Sequence, residues 1–197
     1  MKNVLVTGIG GGVGQGILRN LRGESFDIAV IGTNTTAVSA GNHLCDAVHV
    51  VPYAYDAAYV ETIDSIVARE QIDLIIPSTD YETYYLMAAQ GRIQATIAAS
   101  PAETTKMCLD KYLTAQHLDA HALPFARSAL PSAYRGEFGR TIVKPREGRG
   151  SRGLHVDPID PAAFDDSFLV QEYLDGEELT TAFYVRRDGT LRSDCRI

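Results

Sequence analysis

The sequence predicts an α/β protein: a parallel sheet covered by helices on both faces, then an α+β region with antiparallel strands. Short unbroken apolar runs alternate with helically spaced apolar residues over the first hundred positions. Unbroken runs suit strands buried on both faces, and helices between them supply the crossovers that parallel pairing needs. After Pro124 and Pro131 the pattern turns to strands, ending in a hairpin around Asp188-Gly189.

The elements follow in order. Asn3–Thr7 is the first strand, ended by the glycine-rich turn Gly8–Gly14. Val13, Ile17, Leu18 and Leu21 then recur at helical spacing. Asp27–Gly32 and Ala47–Val51 are the next strands. Asp56 is the expected N-cap of a helix through about Arg69, with Tyr59, Ile63, Ile66 and Val67 on its apolar face. Asp73–Pro77 is the fourth strand, followed by a helix over Tyr81–Ala89 and a short strand near Thr96–Ala99. Residues 1–100 thus form a Rossmann-like domain. A helical linker is expected over 101–125, in two pieces, with Pro101 at its start and Cys108 on its core side. Region 126–197 holds the strands Thr141–Pro145, Leu154–Asp157 and Phe168–Leu174, then the hairpin Leu179–Arg187 with Thr190–Ile197.

Composition narrows the function classes. The chain has 197 residues, 45% hydrophobic and 22% charged, an ordinary globular balance. No apolar run reaches the roughly 18–20 residues of a membrane span. The apolar start breaks at Gly8, too early for a signal peptide, so a cytoplasmic location is expected. The three cysteines, Cys45, Cys108 and Cys195, form no CxxC pair. The net charge of −7 argues against a nucleic-acid surface. That charge is uneven: residues 1–110 hold 6 basic and 12 acidic side chains, residues 111–197 hold 12 and 13. Of only four lysines, Lys144 lies in the basic, glycine-rich stretch Arg140–Arg152.

Ligands of open parallel sheets bind beyond the carboxyl ends of the strands. Two loops are expected there, Gly8–Gly14 and Pro77–Glu82. In the first, Gly8, Gly11 and Gly14 fit a GxxGxxG spacing that lets main-chain amides approach a phosphate. The acidic ribose ligand expected after the second strand is missing, since that position reads Gly32-Thr33-Asn34. A tight turn with close helix–strand packing, or contact of Gly10 and Gly11 with a substrate or anion, therefore stands beside NAD(P) binding. In the second loop, Asp80 and Glu82 could hold a substrate amine, or could simply cap a helix, with Asp80 as N-cap.

The second half carries a more specific set. Strand-borne Lys144 gives a fixed charge for phosphate oxygens. The Gly148–Gly153 loop, with Gly148, Gly150 and Ser151, can fold over phosphates, and Arg149 and Arg152 add positive charge. Gln171-Glu172-Tyr173-Leu174 offers a strand edge whose main chain can pair with adenine, and Glu178 could accept from ribose hydroxyls. His117 and His121 are four apart on a helix, a metal-compatible spacing that nothing else supports.

Taken together, D-K-Y-L-T at 110–114, I-V-K-P-R-E-G-R-G-S-R-G-L at 142–154 and V-Q-E-Y-L-D-G-E-E-L-T at 170–180 resemble the ATP-grasp superfamily. The branch most similar is that of the carbamoyl-phosphate synthase large subunit and the pyrrolysine-biosynthesis ligase, which also open with a V-L-V-T-G-like strand. The resemblance implies a Rossmann-like pre-ATP-grasp domain over 1–100, and over 126–197 the first ATP-grasp subdomain with the start of the second. It implies that Lys111 and Lys144 contact ATP phosphates and that Gly148, Gly150 and Ser151 cover them. Gln171, Glu172, Tyr173 and Leu174 would face adenine, and Glu178 ribose. The implied cofactors are ATP and Mg²⁺, with the metal ligands beyond residue 197, so the domain is expected to be incomplete at its C-terminus and the chain alone to bind ATP weakly without efficient turnover. The implied reaction joins a carboxylate to an amine or ammonia through an acyl phosphate. Expected partners are those small molecules and, as an allowed state, a homodimer, but neither nucleic acid nor membrane. Two alternatives stand: a non-catalytic nucleotide-binding module, and an NAD(P)-binding epimerase or reductase, for which no Tyr-x-x-x-Lys pair is present.

Overall fold

The computed structural model describes residues 1–23, 25–148, 150–177, 179–186 and 188–196. They form two compact units: residues 1–123 with 146–152, and residues 124–145 with 153–197.

The first unit is built on five parallel strands: β1 (Lys2–Val6), β2 (Ile28–Asn34), β3 (Ala47–Val50), β4 (Leu74–Ile76) and β5 (Thr96–Ile97), in spatial order β3-β2-β1-β4-β5. The two-residue side-chain period explains the layers. Leu5, Ile31 and Ile75 face one way, into a core with Tyr59, Ile63, Ile66 and Val67 of helix α2 (Tyr59–Glu70) and Leu86 of α3 (Asp80–Ala88). Val4, Val6 and Val30 face the other way and bury Leu18 of α1 (Gly12–Gly23). The strands are apolar on both faces because both are covered, as the unbroken runs predicted. Helices α4 (Ala102–Leu109) and α5 (Lys111–Ala120), expected as a linker, fall within this unit.

In the second unit, β6 (Ser128–Ala129), β7 (Thr141–Pro145), β8 (His155–Val156) and β9 (Phe168–Glu172) form an antiparallel sheet in the order β6-β9-β7-β8. Its core gathers Tyr134, Phe138, Val143 and Val170. The hairpin β10 (Thr180–Val185) and β11 (Leu191–Arg196) makes a separate two-stranded sheet, turning at Gly189 with φ +79°. No helix among the described residues is long and apolar enough to cross a membrane.

Four local expectations are corrected. Asp56 does not cap α2; its carboxylate accepts from the Ala58 N–H two residues on, forming a turn before the helix. Thr79, not Asp80, is the N-cap of α3, accepting from the Glu82 N–H at 3.2 Å. Cys108 is exposed rather than core, because Thr105 and Leu109 take the buried face of α4. The expected strand edge Gln171–Leu174 is not open at its start: β9 lies inside its sheet, and β6, a two-residue strand that sequence periodicity is too short to reveal, pairs with Val170 and Gln171.

Candidate functional site

In the second unit the chemistry centres on Lys144. Its neighbour Val143 is fully buried on the opposite face, so strand alternation turns the lysine the other way. The Lys144 ammonium donates to Gln171 Oε1 at 2.7 Å. Gln171 is 6% exposed, and its Nε2 donates to Ser128 Oγ at 2.8 Å, which donates in turn to the Ala126 carbonyl at 2.9 Å. These bonds link β7, β9 and β6 in one direction and polarise each other. An ammonium has three donors, and Gln171 fixes the direction of one.

The rest of the expected adenine segment is differently engaged. Glu172 takes the Arg127 N–H and guanidinium at 2.7 Å each, and its own N–H donates to the Arg127 carbonyl at 2.9 Å. The Arg127 N–H and guanidinium hold this carboxyl below its ordinary pKa. The Tyr173 N–H donates to the Arg140 carbonyl at 3.0 Å, and the Arg140 guanidinium covers the Tyr173 ring at 4.2 Å while bonding Asp157 and Asp175. The main-chain N–H groups of Glu172 and Tyr173 are thus already committed. Leu174 lies just past the ladder and is 66% exposed. Glu178 and Arg149 lie outside the described residues.

In the first unit, Lys111 opens α5 behind Asp110, whose carboxylate accepts from the Tyr112 N–H at 2.9 Å as N-cap. The Lys111 N–H and ammonium both donate to the Arg146 carbonyl. Burial lowers the Lys111 pKa, against the opposing pull of Asp80, Asp110 and Glu147. Arg146 closes the arrangement through two bonds to Asp110. Gly148, half-buried, and exposed Gly150 and Ser151 continue from this anchor, with Gly150 and Ser151 both in the left-handed region at φ +60° and +54°. Left-handed backbone costs a serine about 1–3 kcal/mol.

At the carboxyl edge of the parallel sheet lies a cavity of about 290 Å³. Gly11 and Glu82 line it; Gly10 sits beside Asn34, and Asp80 is exposed and borders a separate cavity of about 150 Å³ with Cys108. The loop is a tight one: Gly8 has φ +59°, the Gly11 N–H donates to the Gly8 carbonyl, and a Cβ on Gly14 would lie 2.6 Å from that oxygen. Close helix–strand packing therefore accounts for Gly14. Sequence reasoning passed over Tyr53 and Tyr55, which also line the cavity together with Tyr81; the signal for those two was the P-Y-A-Y run at 52–55, just past β3. His117 and His121 stack at 4.3 Å, but among the described residues no three His, Cys, Asp or Glu gather to hold a metal.

Two family profiles match the chain: "PylC-like, N-terminal domain" over residues 4–98 and "ATP-grasp domain" over residues 108–191. Among solved structures, N5-carboxyaminoimidazole ribonucleotide synthetase from Thermotoga maritima superposes with a TM-score of 0.72 at 19% identity, over 98% of this chain and 52% of that one. The biotin carboxylase domain of 2-oxoglutarate carboxylase from Hydrogenobacter thermophilus, a dimer in complex with MgADP, gives 0.70 at 13% identity, over 98% and 49%. L-amino acid ligase from Bacillus licheniformis gives 0.71 at 11%, again over 98% and 49%. The chain spans about half the length of these structures, and at such identity the likeness is one of fold. No curated protein sequence matches.

Proposed function

Since the chain belongs to the ATP-grasp superfamily, joining a PylC-like N-terminal domain to an ATP-grasp domain, we propose that it serves ATP-dependent ligation of a carboxylate to an amine or ammonia. The carboxylate oxygen attacks the γ-phosphorus, ADP leaves, and an acyl phosphate forms. The amine then attacks the acyl carbon, inorganic phosphate leaves with the bonding electron pair, and the nitrogen loses a proton. Such chemistry depends on positioning and on offsetting charge at the phosphates.

One observation carries the reading: a lysine ammonium held in a set direction by a buried glutamine, within the segment that matches the ATP-grasp profile. In this reading Lys144 meets phosphate oxygens of ATP and Gln171 keeps it in place. Leu174 is the segment's free-standing end toward adenine, while Glu172 and Tyr173 fix the strand that carries it. Lys111, Gly148, Gly150, Ser151 and, toward ribose, Glu178 have the nucleotide roles that the superfamily resemblance implies. Mg²⁺, when bound, offsets triphosphate charge; no described group is assigned to hold it. The NAD(P) alternative is disfavoured by Asn34 at the end of β2, where an acid would serve the ribose, and by the size of the edge cavity.

Calorimetric titration of ATP tests the reading. Lys144→Ala is expected to weaken ATP binding about 10- to 100-fold, the value of one charge-assisted contact. Unchanged ATP affinity would reject the assigned phosphate role. In the natural protein, ADP release that requires both a carboxylate and an amine separates ligation from mere nucleotide binding.

A further inference from the structure

Helix α5 ends in two imidazoles. His117 lies in its last turn and His121 is its C-cap; both are exposed, with ring centres 4.3 Å apart and planes 36° from parallel. Residues four apart stand one above the other on a helix face. The sequence shows that spacing. The structure adds the protonation pattern of one ring and the closeness of the other.

His121 Nδ1 lies 2.8 Å from the His117 carbonyl oxygen. A carbonyl only accepts, so Nδ1 carries the hydrogen. In the neutral imidazole the lone pair then sits on Nε2, the nitrogen that a metal takes when a carbonyl holds Nδ1–H. A simple explanation is a helix C-cap: the ring N–H satisfies a carbonyl of the last turn that the His121 main-chain N–H reaches only at 3.3 Å. A cap accounts for the place of one ring. It does not use Nε2, and it does not call for a second imidazole beside the first.

Distance and charge both suit a metal ion. Zinc–nitrogen bonds are about 2.0–2.1 Å, so two nitrogens on one ion lie at most about 4.2 Å apart. Rings centred 4.3 Å apart fit that span, and because both side chains are exposed, small rotations bring their nitrogens together without repacking. The C-terminal end of a helix carries about half a negative charge, which favours a cation. Asp119 is two residues from each histidine and so points to a different face of α5. Among the described residues no third His, Cys, Asp or Glu joins the pair, so water completes the coordination shell. Imidazole suits zinc, copper and nickel, whereas Mg²⁺ takes oxygen ligands. This ion is therefore distinct from the Mg²⁺ that accompanies ATP.

We propose that the end of α5 binds a divalent transition-metal ion through Nε2 of His121 and a ring nitrogen of His117, clamping the last turn of the helix. The site is independent of the ligase reading.

Zinc titration of the 197-residue chain tests this, followed by calorimetry and by NMR of the imidazole nitrogens. A Cys108→Ser background removes an exposed thiol that could take zinc itself. The expected result is zinc on His121 Nε2 with Nδ1 still protonated, and no response of either ring to Mg²⁺. His117→Ala is expected to weaken zinc binding at least about tenfold. That variant keeps the cap, because the carbonyl that His121 bonds belongs to the main chain. His121→Ala should weaken zinc equally while also removing the cap. No response of either ring at about 1 mM zinc, metallation of His121 at Nδ1, or zinc affinity unchanged by His117→Ala would overturn the proposal.

Discussion

Lys111 places two donors on a single oxygen: its main-chain N–H and its ammonium reach the Arg146 carbonyl at 3.0 and 3.1 Å. Residues 35 positions apart are thereby tied at the root of the Gly148–Gly153 loop, and the Arg146 side chain returns the contact to Asp110. This explains why residues 146–152 pack with the first unit although the strand before them belongs to the second.

The Asp110–Arg146 pair gives the first prediction. Burial raises the Asp110 pKa, but the Arg146 guanidinium and the Tyr112 N–H outweigh it and hold the carboxyl below its ordinary value. A carboxyl with a lowered folded pKa contributes stability above its unfolded pKa of about 3.9 and loses it as pH falls through the folded value. Asp110→Asn is expected to cost about 1–3 kcal/mol in urea unfolding at pH 7. The difference from wild type should shrink below about pH 4; a difference constant from pH 7 to 3 would contradict this origin.

Gln171 is the hinge of the Lys144 bond chain. Gln171→Leu keeps the volume but leaves the half-buried Ser128 hydroxyl without its donor and Lys144 without its guide. A stability loss of about 1–3 kcal/mol is expected, with weaker ATP binding at the same time. Thermal unfolding and calorimetry on the same variant read both effects.

Two glycines should respond in opposite directions. A Cβ on Gly41 would lie 2.2 Å from the Ile9 carbonyl oxygen, a clash of main-chain atoms that no rotamer relieves. Gly16, inside α1, has open space around it. Gly41→Ala is expected to destabilise by more than about 2 kcal/mol. Gly16→Ala is expected to stabilise by about 0.5–1 kcal/mol through helix propensity. Denaturant midpoints of the two variants check both signs.

The cysteines should differ in reactivity. Burial, partly opposed by Arg22, pushes the half-buried Cys45 thiol up to about 11, so thiolate is scarce at neutral pH. Cys108 is exposed. Maleimide labelling at pH 7.5 with peptide mapping is expected to modify Cys108 well before Cys45; the reverse order would refute the burial of Cys45.

Much of this was legible in the residues. V-L-V, A-V-I-G and L-I-I announced strands covered on both faces, since only a doubly covered sheet tolerates apolar side chains in both directions. Lys144 stood out as a charge at the end of an apolar strand. Less legible was anything carried by a short or distant pairing. The two-residue β6 has no periodicity, yet it closes the side of β9 that sequence reasoning left open for adenine. Thr79 outcompeted Asp80 as cap because the helix began one residue earlier than the apolar pattern indicated.

The sequence by itself determined the order of strands and helices, the parallel and antiparallel halves, and the superfamily, because each depends on local periodicity or on motifs contiguous in the chain. Only the tertiary structure decided which side chains meet: Gln171 with Lys144, Arg146 with Lys111 and Asp110, and Tyr55 of the loop after β3 with Tyr81 of α3. Those meetings depend on strand register and crossover geometry, which join residues far apart in sequence and leave no period in the residues between them.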